Sequence, residues 1–331
     1  MYSFFIGCDI SKSYFDVSFF KDQKSIYLGQ FSNDIPGFKL LIKQLKLNTE
    51  IPETSWLVCF ENTGVYSKPL LEWLFSQGIP CREENALTIS RSMGLRRGKD
   101  DKIDSKDICR YIFEKRDSIQ PSKLSNPLIV KLKKLLSRRD FLVRHKQSLE
   151  VTLKDQQAVI DPPLFELLES RNDTLVEEYS RQIKEVEQLI QDLMNQDEEV
   201  KTNYDLAQSV VGIGKTTAAY LIAITENFSC FKDGRKLACY GGIAPFPNRS
   251  GTRIGKTRVS HLANKKIKSL LSNCVNASIM YDKEIRLYYN RKLSEGKEKG
   301  VVFNAIKNKL IHRVFAVIKR QTPYVRIMNY A

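Results

Sequence analysis

Four acidic residues in the first third of the chain have the types and the spacing of a metal-binding site. Asp9 ends a short apolar run, and Glu61 ends a second one. Both runs are typical of strands, and residues at the ends of neighbouring strands converge on one edge of a sheet. Asp101 and Asp104 are spaced i, i+3, which puts both carboxylates on one face of a predicted helix. Four carboxylates gathered in this way repel one another unless a hard cation such as Mg²⁺ lies among them.

The chemistry of such a site is phosphoryl transfer, in which two ions about 3.5–4 Å apart stabilise the attacking and the leaving oxygen. Each acid alone also has a structural interpretation: Asp9 as a turn residue, Glu61 as a capping partner, and Asp101 or Asp104 as a helix N-cap. The joint pattern favours the metal site. The third acid stays open, because Asp100 and Asp104 are also neighbours on a helix.

A second candidate for chemistry is Ser250, in a Gly/Pro-rich stretch at 241–253 that we expect to be an unstructured loop. From Arg249 to Lys268 the chain has seven lysines and arginines and no acid. Cations around a serine neutralise the phosphate that its hydroxyl attacks. The residues equally suit a loop in which Ser250 only donates a hydrogen bond to a phosphate. No His–Asp pair lies beside it in sequence, so a hydrolase triad has no support.

The charge is divided unevenly along the chain. Residues 1–200 carry 29 Lys and Arg against 31 Asp and Glu, whereas residues 201–331 carry 24 against 7. A balanced half followed by a basic half indicates a polyanionic partner, of which nucleic acid is the commonest. The residues predicted to bind nucleic acid are Lys215, Arg249, Arg253, Lys256 and Arg258.

The remaining composition excludes several protein classes. No apolar run reaches the ~18 residues that cross a bilayer, and the N-terminus has neither a charged leader nor a cleavage site. The seven cysteines form no Cys-x-x-Cys pair, which favours reduced thiols over a disulfide framework or a zinc site. We therefore expect a cytoplasmic protein.

Three segments are expected along the chain. Residues 1–122 predict three adjacent strands followed by helix–strand alternation, which is the α/β arrangement of a ribonuclease H-like fold. Residues 123–200 predict two heptad-like helices, at 128–153 and 175–193, broken at Asp161-Pro162-Pro163; they suit a coiled-coil oligomerisation segment or an ordinary bundle core. Residues 201–331 predict a mainly α C-terminal domain with a helix-hairpin-helix-like turn at 211–218 and a final amphipathic helix at 301–319 with exposed Lys307, Lys309, Arg313 and Lys319.

These motifs together resemble the DEDD-type transposases of bacterial insertion sequences, relatives of the pilin-gene inverting recombinases. The resemblance covers nearly the whole chain. Its marks are Gly7-Cys8-Asp9-Ile10-Ser11-Lys12, Glu61-Asn62-Thr63-Gly64-Val65-Tyr66, Lys99-Asp100-Asp101-Lys102-Ile103-Asp104, Val211-Gly212-Ile213-Gly214-Lys215-Thr216-Thr217-Ala218, Tyr240-Gly241-Gly242-Ile243-Ala244-Pro245 and Ser250-Gly251.

The resemblance implies a RuvC-like domain in which Asp9, Glu61, Asp101 and Asp104 bind Mg²⁺, and a small C-terminal domain with Ser250 as nucleophile. It also implies donor and target DNA as substrates, a structured bridge RNA as guide, and a dimer or tetramer in which one protomer's serine domain meets another's RuvC-like domain in a bacterial cytoplasm. Asp100 stands where many members have threonine. His261 and Asn264 replace a lysine and a glycine that are common after the second conserved serine, here Ser260.

Two other functions remain open from the sequence. One is a RuvC-like junction resolvase or nuclease, in which the metal ions activate water and Ser250 only contacts phosphate. The other is a non-catalytic nucleic-acid-binding protein whose carboxylates are structural. A covalent protein–DNA adduct separates the first from a serine recombinase, and strand cleavage excludes the second.

Overall fold

A computed structural model describes residues 2–93, 100–244, 246–250, 253–258 and 263–325, with the backbone alone described at 246–250 and 253–258. The chain divides into two compact units, Met1–Leu124 and Ser125–Ala331. The helical middle segment, expected at 123–200, belongs to the second unit, where its helices share one core with the helices that follow.

The first unit is built on a five-stranded mixed sheet, which confirms the mixed α/β class. Its strands are β1 (Phe4–Ile10), β2 (Tyr14–Lys21), β3 (Lys24–Ser32), β4 (Trp56–Glu61) and β5 (Cys81–Glu84). They lie in the order β3-β2-β1-β4-β5, with β1–β2 and β2–β3 antiparallel and with β1–β4 and β4–β5 parallel. The helices of this unit are α1 (Ile35–Lys46), α2 (Lys68–Ser76), α3 (Ala86–Ser92) and α4 (Asp101–Glu114).

Alternation along the strands divides their side chains between two cores. Even-numbered residues of β1 and β4, such as Ile6 and Val58, pack with residues of α1 and α2. Odd-numbered residues, such as Phe5 and Leu57, pack with residues of α3 and α4. Because side chains alternate with a period of two, Asp9 and Glu61 project from the same face as Phe5 and Leu57, which is the face that α4 covers.

Gly7 lets α4 approach this face at backbone distance. A Cβ added at Gly7 would overlap the amide nitrogen of Cys109 and would lie 2.5 Å from the carbonyl oxygen of Ser105. Two contacts fix the helix there: the Oγ atoms of Ser18 and Ser105 are 2.8 Å apart, and the Cys109 thiol donates to the Phe5 carbonyl. A side chain larger than hydrogen at Gly7 would therefore move α4 off the sheet.

The second unit is helical. Its helices are α5 (Pro127–Gln156), α6 (Pro162–Met194), α7 (Glu198–Ser209), α8 (Lys215–Thr225), α9 (Gly234–Tyr240), α10 (Lys265–Tyr281), α11 (Lys283–Ser294) and α12 (Lys299–Arg320). The helices α5 and α6 form an antiparallel hairpin joined by Arg139–Glu187 and Asn172–Leu149 hydrogen bonds. As expected from the Asp161-Pro162-Pro163 break, Asp161 caps α6, its carboxylate accepting from Leu164 N.

Two expectations for the C-terminal half are wrong. The stretch predicted to be an unstructured loop contains a hairpin of β6 (Phe246–Ser250) and β7 (Arg253–Arg258). On α12, Lys307 is 6% exposed instead of solvated, and its burial beside Lys268 lowers its pKa. Arg313 is also largely buried, because its guanidinium pairs with Asp282 and Glu284.

All seven cysteines are free thiols, as expected. Among the residues that the structure describes, no helix is both long enough and apolar enough to span a bilayer.

The Gly7 contact predicts a specific sensitivity. Gly7→Ala should destabilise the protein by about 3 kcal/mol, because an overpacked methyl group meets backbone instead of a movable side chain. Chemical denaturation measures the change. Gly300→Ala is the matched control, since a Cβ at Gly300 has no neighbour within 4 Å. Wild-type stability of Gly7→Ala would contradict the packing described here.

Candidate metal centre

The sheet brings Asp9 and Glu61 to adjacent places. The parallel register of β1 and β4 ends with the pair Cys8–Phe60, and Asp9 and Glu61 follow this pair directly. On the other side of β1, the antiparallel register pairs Asp9 with Asp16 of β2. Both neighbours of Asp9 across the sheet are therefore acids, on the face covered by α4.

The start of α4 supplies the other acids. Asp100 is the N-cap, and its Oδ1 accepts from the Lys102 amide at 3.1 Å. Asp101 and Asp104 lie in the first helical turn, where the positive end of the helix dipole favours negative charge. Asp100 thus caps the helix, and Asp101 and Asp104 are the two acids of the first turn that lie near Asp9 of the sheet.

Three carboxylates meet at one point. Oxygen atoms of Asp9, Asp101 and Asp104 all lie within 4.8 Å of one another. Glu61 is outside this group of three, but its charge reaches Asp9. Burial, followed by the charges of Asp104, Asp101, Glu61 and Asp16, raises the pKa of Asp9 to about 6.

The donor set fits a hard divalent cation. Carboxylate oxygens are the ligands that Mg²⁺ and Mn²⁺ prefer, and Mg²⁺ is commonly held by one or two carboxylates with water or phosphate oxygens completing its octahedron. Burial is the largest cause of the raised pKa of Asp9, and repulsion from the neighbouring carboxylates adds to it. A bound ion offsets that repulsion directly.

The residues predicted at the serine site are described less fully. Ser250 is the last residue of β6 and pairs with Arg253 of β7, and Arg249 pairs with Ile254. Lys256 and Arg258 also lie in β7. The structure gives the backbone alone for these residues; Gly251, Ser260 and His261 lie outside its described ranges.

The glycines of the predicted helix-hairpin-helix-like turn have different roles. Gly212 has a φ of 95°, and a Cβ there would lie 2.6 Å from the Cys274 carbonyl oxygen, so this glycine lets the turn pack on α10. Gly214 is the exposed N-cap of α8 without a side-chain capping bond, and Lys215 is exposed beside it. An open helix N-terminus followed by lysine is suited to a phosphate contact.

Sequence reasoning missed a polar group beside the acids. Asp16 is 1% exposed and accepts hydrogen bonds from Tyr27 and Gln30 of β3. The sequence did contain a signal for this group, because Asp16 is an acid within the apolar run Phe15 to Phe20. It lies two residues from Ser18, and the two side chains therefore project from the same face of the strand.

In the first unit, a carboxylate at the end of β1 and two carboxylates at the start of α4 meet at one point, with Glu61 on the neighbouring strand, and this arrangement suits a divalent cation. Comparison with known proteins agrees. A transposase model of the DEDD, IS110 type matches residues 6–158, and the model "Transposase IS116/IS110/IS902 family" matches residues 204–290.

Two of the individual relatives match nearly the full chain, and a third matches a part of it. The pilin gene-inverting proteins of Moraxella lacunata and Moraxella bovis are each 28% identical over 325 residues, which cover 97% of both chains. A 44.8 kDa protein of insertion element IS116 from Streptomyces clavuligerus is 28% identical over 134 residues, 39% of this chain and 33% of its own length. The chain belongs to the IS110 family of transposases, which are DNA recombinases of insertion sequences.

The crowding at Asp9 predicts how stability depends on pH. Because the pKa of Asp9 is raised in the folded state, metal-free protein loses stability as pH rises from about 4 to about 6, and the penalty stays above that window. Asp9→Asn should therefore stabilise metal-free protein at about pH 8, by about 1–2 kcal/mol for a partly exposed group, and leave it unchanged near pH 4.

Thermal denaturation at both pH values checks this. Asp34→Asn is the control, because Asp34 is an exposed α1 cap with a lowered pKa, and its loss should destabilise at about pH 8. A lower melting temperature for Asp9→Asn at about pH 8 would contradict the electrostatic description.

Proposed function

We propose that this transposase joins DNA strands with two sets of groups: a Mg²⁺-binding ribonuclease H-like domain, RuvC-like in type, and the Ser250 hydroxyl as nucleophile. The observation that carries the proposal is the meeting of Asp9, Asp101 and Asp104 at the covered end of β1. The sheet order β3-β2-β1-β4-β5, with antiparallel β1 to β3 and parallel β4 and β5, supports the ribonuclease H-like assignment.

Asp9, Glu61, Asp101 and Asp104 are proposed to hold the ions. Mg²⁺ at this place supplies positive charge to the phosphate under attack and to the oxygen that leaves. The protein contributes the rigid placement of the carboxylates, since β1, β4 and α4 are tied by sheet pairing and by the Gly7 contact.

Ser250 is proposed to conserve the energy of the broken bond. Its hydroxyl loses a proton and forms an O–P bond, while the bond from phosphorus to a deoxyribose oxygen breaks and that oxygen takes up a proton. A new deoxyribose hydroxyl then reverses the step and releases the serine. The phosphodiester is exchanged at each stage, so rejoining needs no external energy source, whereas attack by water would discard the bond.

The basic second half is proposed to bind nucleic acid. The hairpin bearing Arg249, Arg253, Lys256 and Arg258 comes from a stretch without any acid, and Lys215 lies at an open helix N-terminus. Such groups contact phosphates and carry no base preference. A structured guide RNA that pairs with donor and target DNA would supply the sequence choice, as the family resemblance implies.

The helical hairpin is proposed to hold copies of the chain together. Toward its turn it exposes apolar side chains, of which Leu164, Leu167, Leu175 and Val151 are 45–57% exposed. A lone hairpin cannot cover this surface, and a second copy offers the same apolar surface in return.

The nucleophile is tested by trapping the protein–DNA intermediate. With labelled DNA substrate and guide RNA, wild type should form an adduct that survives denaturing electrophoresis. Ser250→Ala should bind DNA and metal but form neither adduct nor recombinant, because no other oxygen takes the place of Oγ.

Ser260→Ala, in the same basic stretch, is the matched control and should keep the adduct. An adduct that persists in Ser250→Ala and disappears in Ser260→Ala would assign the nucleophile to Ser260. Cleavage by wild type without any adduct would support a nuclease that uses water.

Assembly is tested at the exposed leucines. Leu164→Lys combined with Leu167→Lys should shift the protein toward monomer, by at least about tenfold in dissociation constant, since a buried charge in an apolar contact is costly. Sedimentation at micromolar concentration measures this. The exposed polar pair Ser170→Lys and Gln188→Lys on the same helix is the charge-matched control, because it also adds two positive charges. A wild type that is monomeric with and without RNA would contradict the proposal.

A further inference from the structure

A row of polar residues crosses the sheet at the level of Asp9. The register pairs Gln30 with Asp16, Asp16 with Asp9, and Glu61 with Glu84. Paired residues of neighbouring strands project from the same face, so all five belong to the face covered by α4. Asp9 and Glu61 form the middle of the row, and Asp16 and Glu84 flank them.

The two flanking acids differ in how their charge is balanced. Glu84 pairs with Arg82, whose NH2 is 3.1 Å from Glu84 Oε2, and it also accepts from the Tyr111 hydroxyl. Asp16 accepts from Tyr27 Oη at 2.5 Å and from Gln30 Nε2 at 3.1 Å. Both partners of Asp16 are neutral, whereas one partner of Glu84 is a cation.

Within the part of the chain that the structure describes, Asp16 is therefore a buried acid without a basic partner. It is 1% exposed, and among the described residues no lysine, arginine or histidine forms an ion pair with it. The nearby ammonium of Lys102 lies over the Tyr27 ring, 5.4 Å from the centroid, instead of on the carboxylate. Burying an unpaired charge costs free energy unless a cation is bound near it.

Asp16 is not one of the carboxylates that converge on a common point, which are those of Asp9, Asp101 and Asp104. Its own oxygens accept hydrogen bonds from Tyr27 and Gln30 of β3. Its charge nevertheless reaches the site, because Asp16 is one of the acids that act on Asp9. A fixed negative charge on the strand next to Asp9 attracts a divalent ion through the protein interior, where screening is weaker than in water.

We propose that Asp16 is a positioning residue of the metal centre: its buried charge, adjacent to Asp9 across the sheet, strengthens divalent-cation binding without coordinating the ion. The inference rests on the proposed function, since it requires the carboxylates to bind metal. It assigns Tyr27 and Gln30 to orienting the Asp16 carboxylate.

Mn²⁺ affinity, measured by calorimetry on the full chain without DNA, tests the role of the charge. Asp16→Asn keeps the shape and removes the charge, and it should weaken Mn²⁺ binding about tenfold. Tyr27→Phe removes one hydrogen bond and keeps the charge, and it should change the affinity less than about twofold. Should Asp16→Asn fail to fold, the smaller Asp16→Ser should show the same weakening.

Stability without metal gives a second readout. Asp16→Asn should raise the melting temperature of metal-free protein because it removes repulsion, whereas Tyr27→Phe should lower it. Equal weakening of Mn²⁺ binding by the two variants would show that the network is structural and would overturn the inference.

An Asp16→Asn affinity equal to that of wild type would also overturn the inference, while loss of binding in Asp9→Asn would still support the metal centre. A wild type that binds no Mn²⁺ would contradict the metal centre itself, and the role of Asp16 with it.

Discussion

The backbone contact between α4 and β1 at Gly7 is the constraint on which the proposed metal centre depends. Asp9 lies two residues beyond Gly7 on the same face of β1, so the place where the helix touches the sheet fixes its first turn above Asp9. The hydroxyl pair Ser18–Ser105 ties the same helix to β2. Carboxylates from a strand and from a helix can share an ion only if the distance between those elements is fixed, and here backbone meets backbone.

That arrangement has a cost in the absence of metal. Burial of Asp9, together with repulsion from the acids around it, raises its pKa to about 6. The row extends to Asp16, whose buried carboxylate accepts hydrogen bonds from two neutral groups, the Tyr27 hydroxyl and the Gln30 amide. A sequence selected for stability alone would not gather these charges, because each unpaired buried anion weakens the fold. The position of these acids, where α4 contacts β1, is suited to binding a cation and a phosphate.

Much of the first unit could be predicted from the sequence, because its strands are short apolar runs bounded by turns and its helices have ordinary caps. Asp9 and Glu61 could be found because they end such runs, and Asp101 and Asp104 because their i, i+3 spacing puts them on one face of a helix. The choice between Asp100 and Asp101 could not be made in advance, since both spacings to Asp104 fit a helix. The cap formed by Asp100 is a matter of backbone geometry, and it leaves Asp101 and Asp104 as the half-buried acids of the first turn.

Other features depend on tertiary contacts that no local pattern reveals. Asp16 looks like a solvent-facing strand residue until Tyr27 and Gln30 cover it. Lys307 occupies a polar position of an amphipathic helix, yet neighbouring helices bury it. The β6–β7 hairpin was hidden by its glycines and prolines, which are typical of loops as well as of short, irregular strand pairs.

The proposed metal centre is tested most directly by locating the ion. Anomalous scattering from crystals grown with Mn²⁺ and a DNA substrate would show the metal without reference to activity. We expect an anomalous peak for Mn²⁺ about 2.2 Å from oxygens of Asp9, Asp101 and Asp104, with a DNA phosphate oxygen among the remaining ligands. A Mn²⁺ ion bound elsewhere on the protein, with these three carboxylates unligated at saturating metal and with DNA in place, would contradict the proposed metal centre.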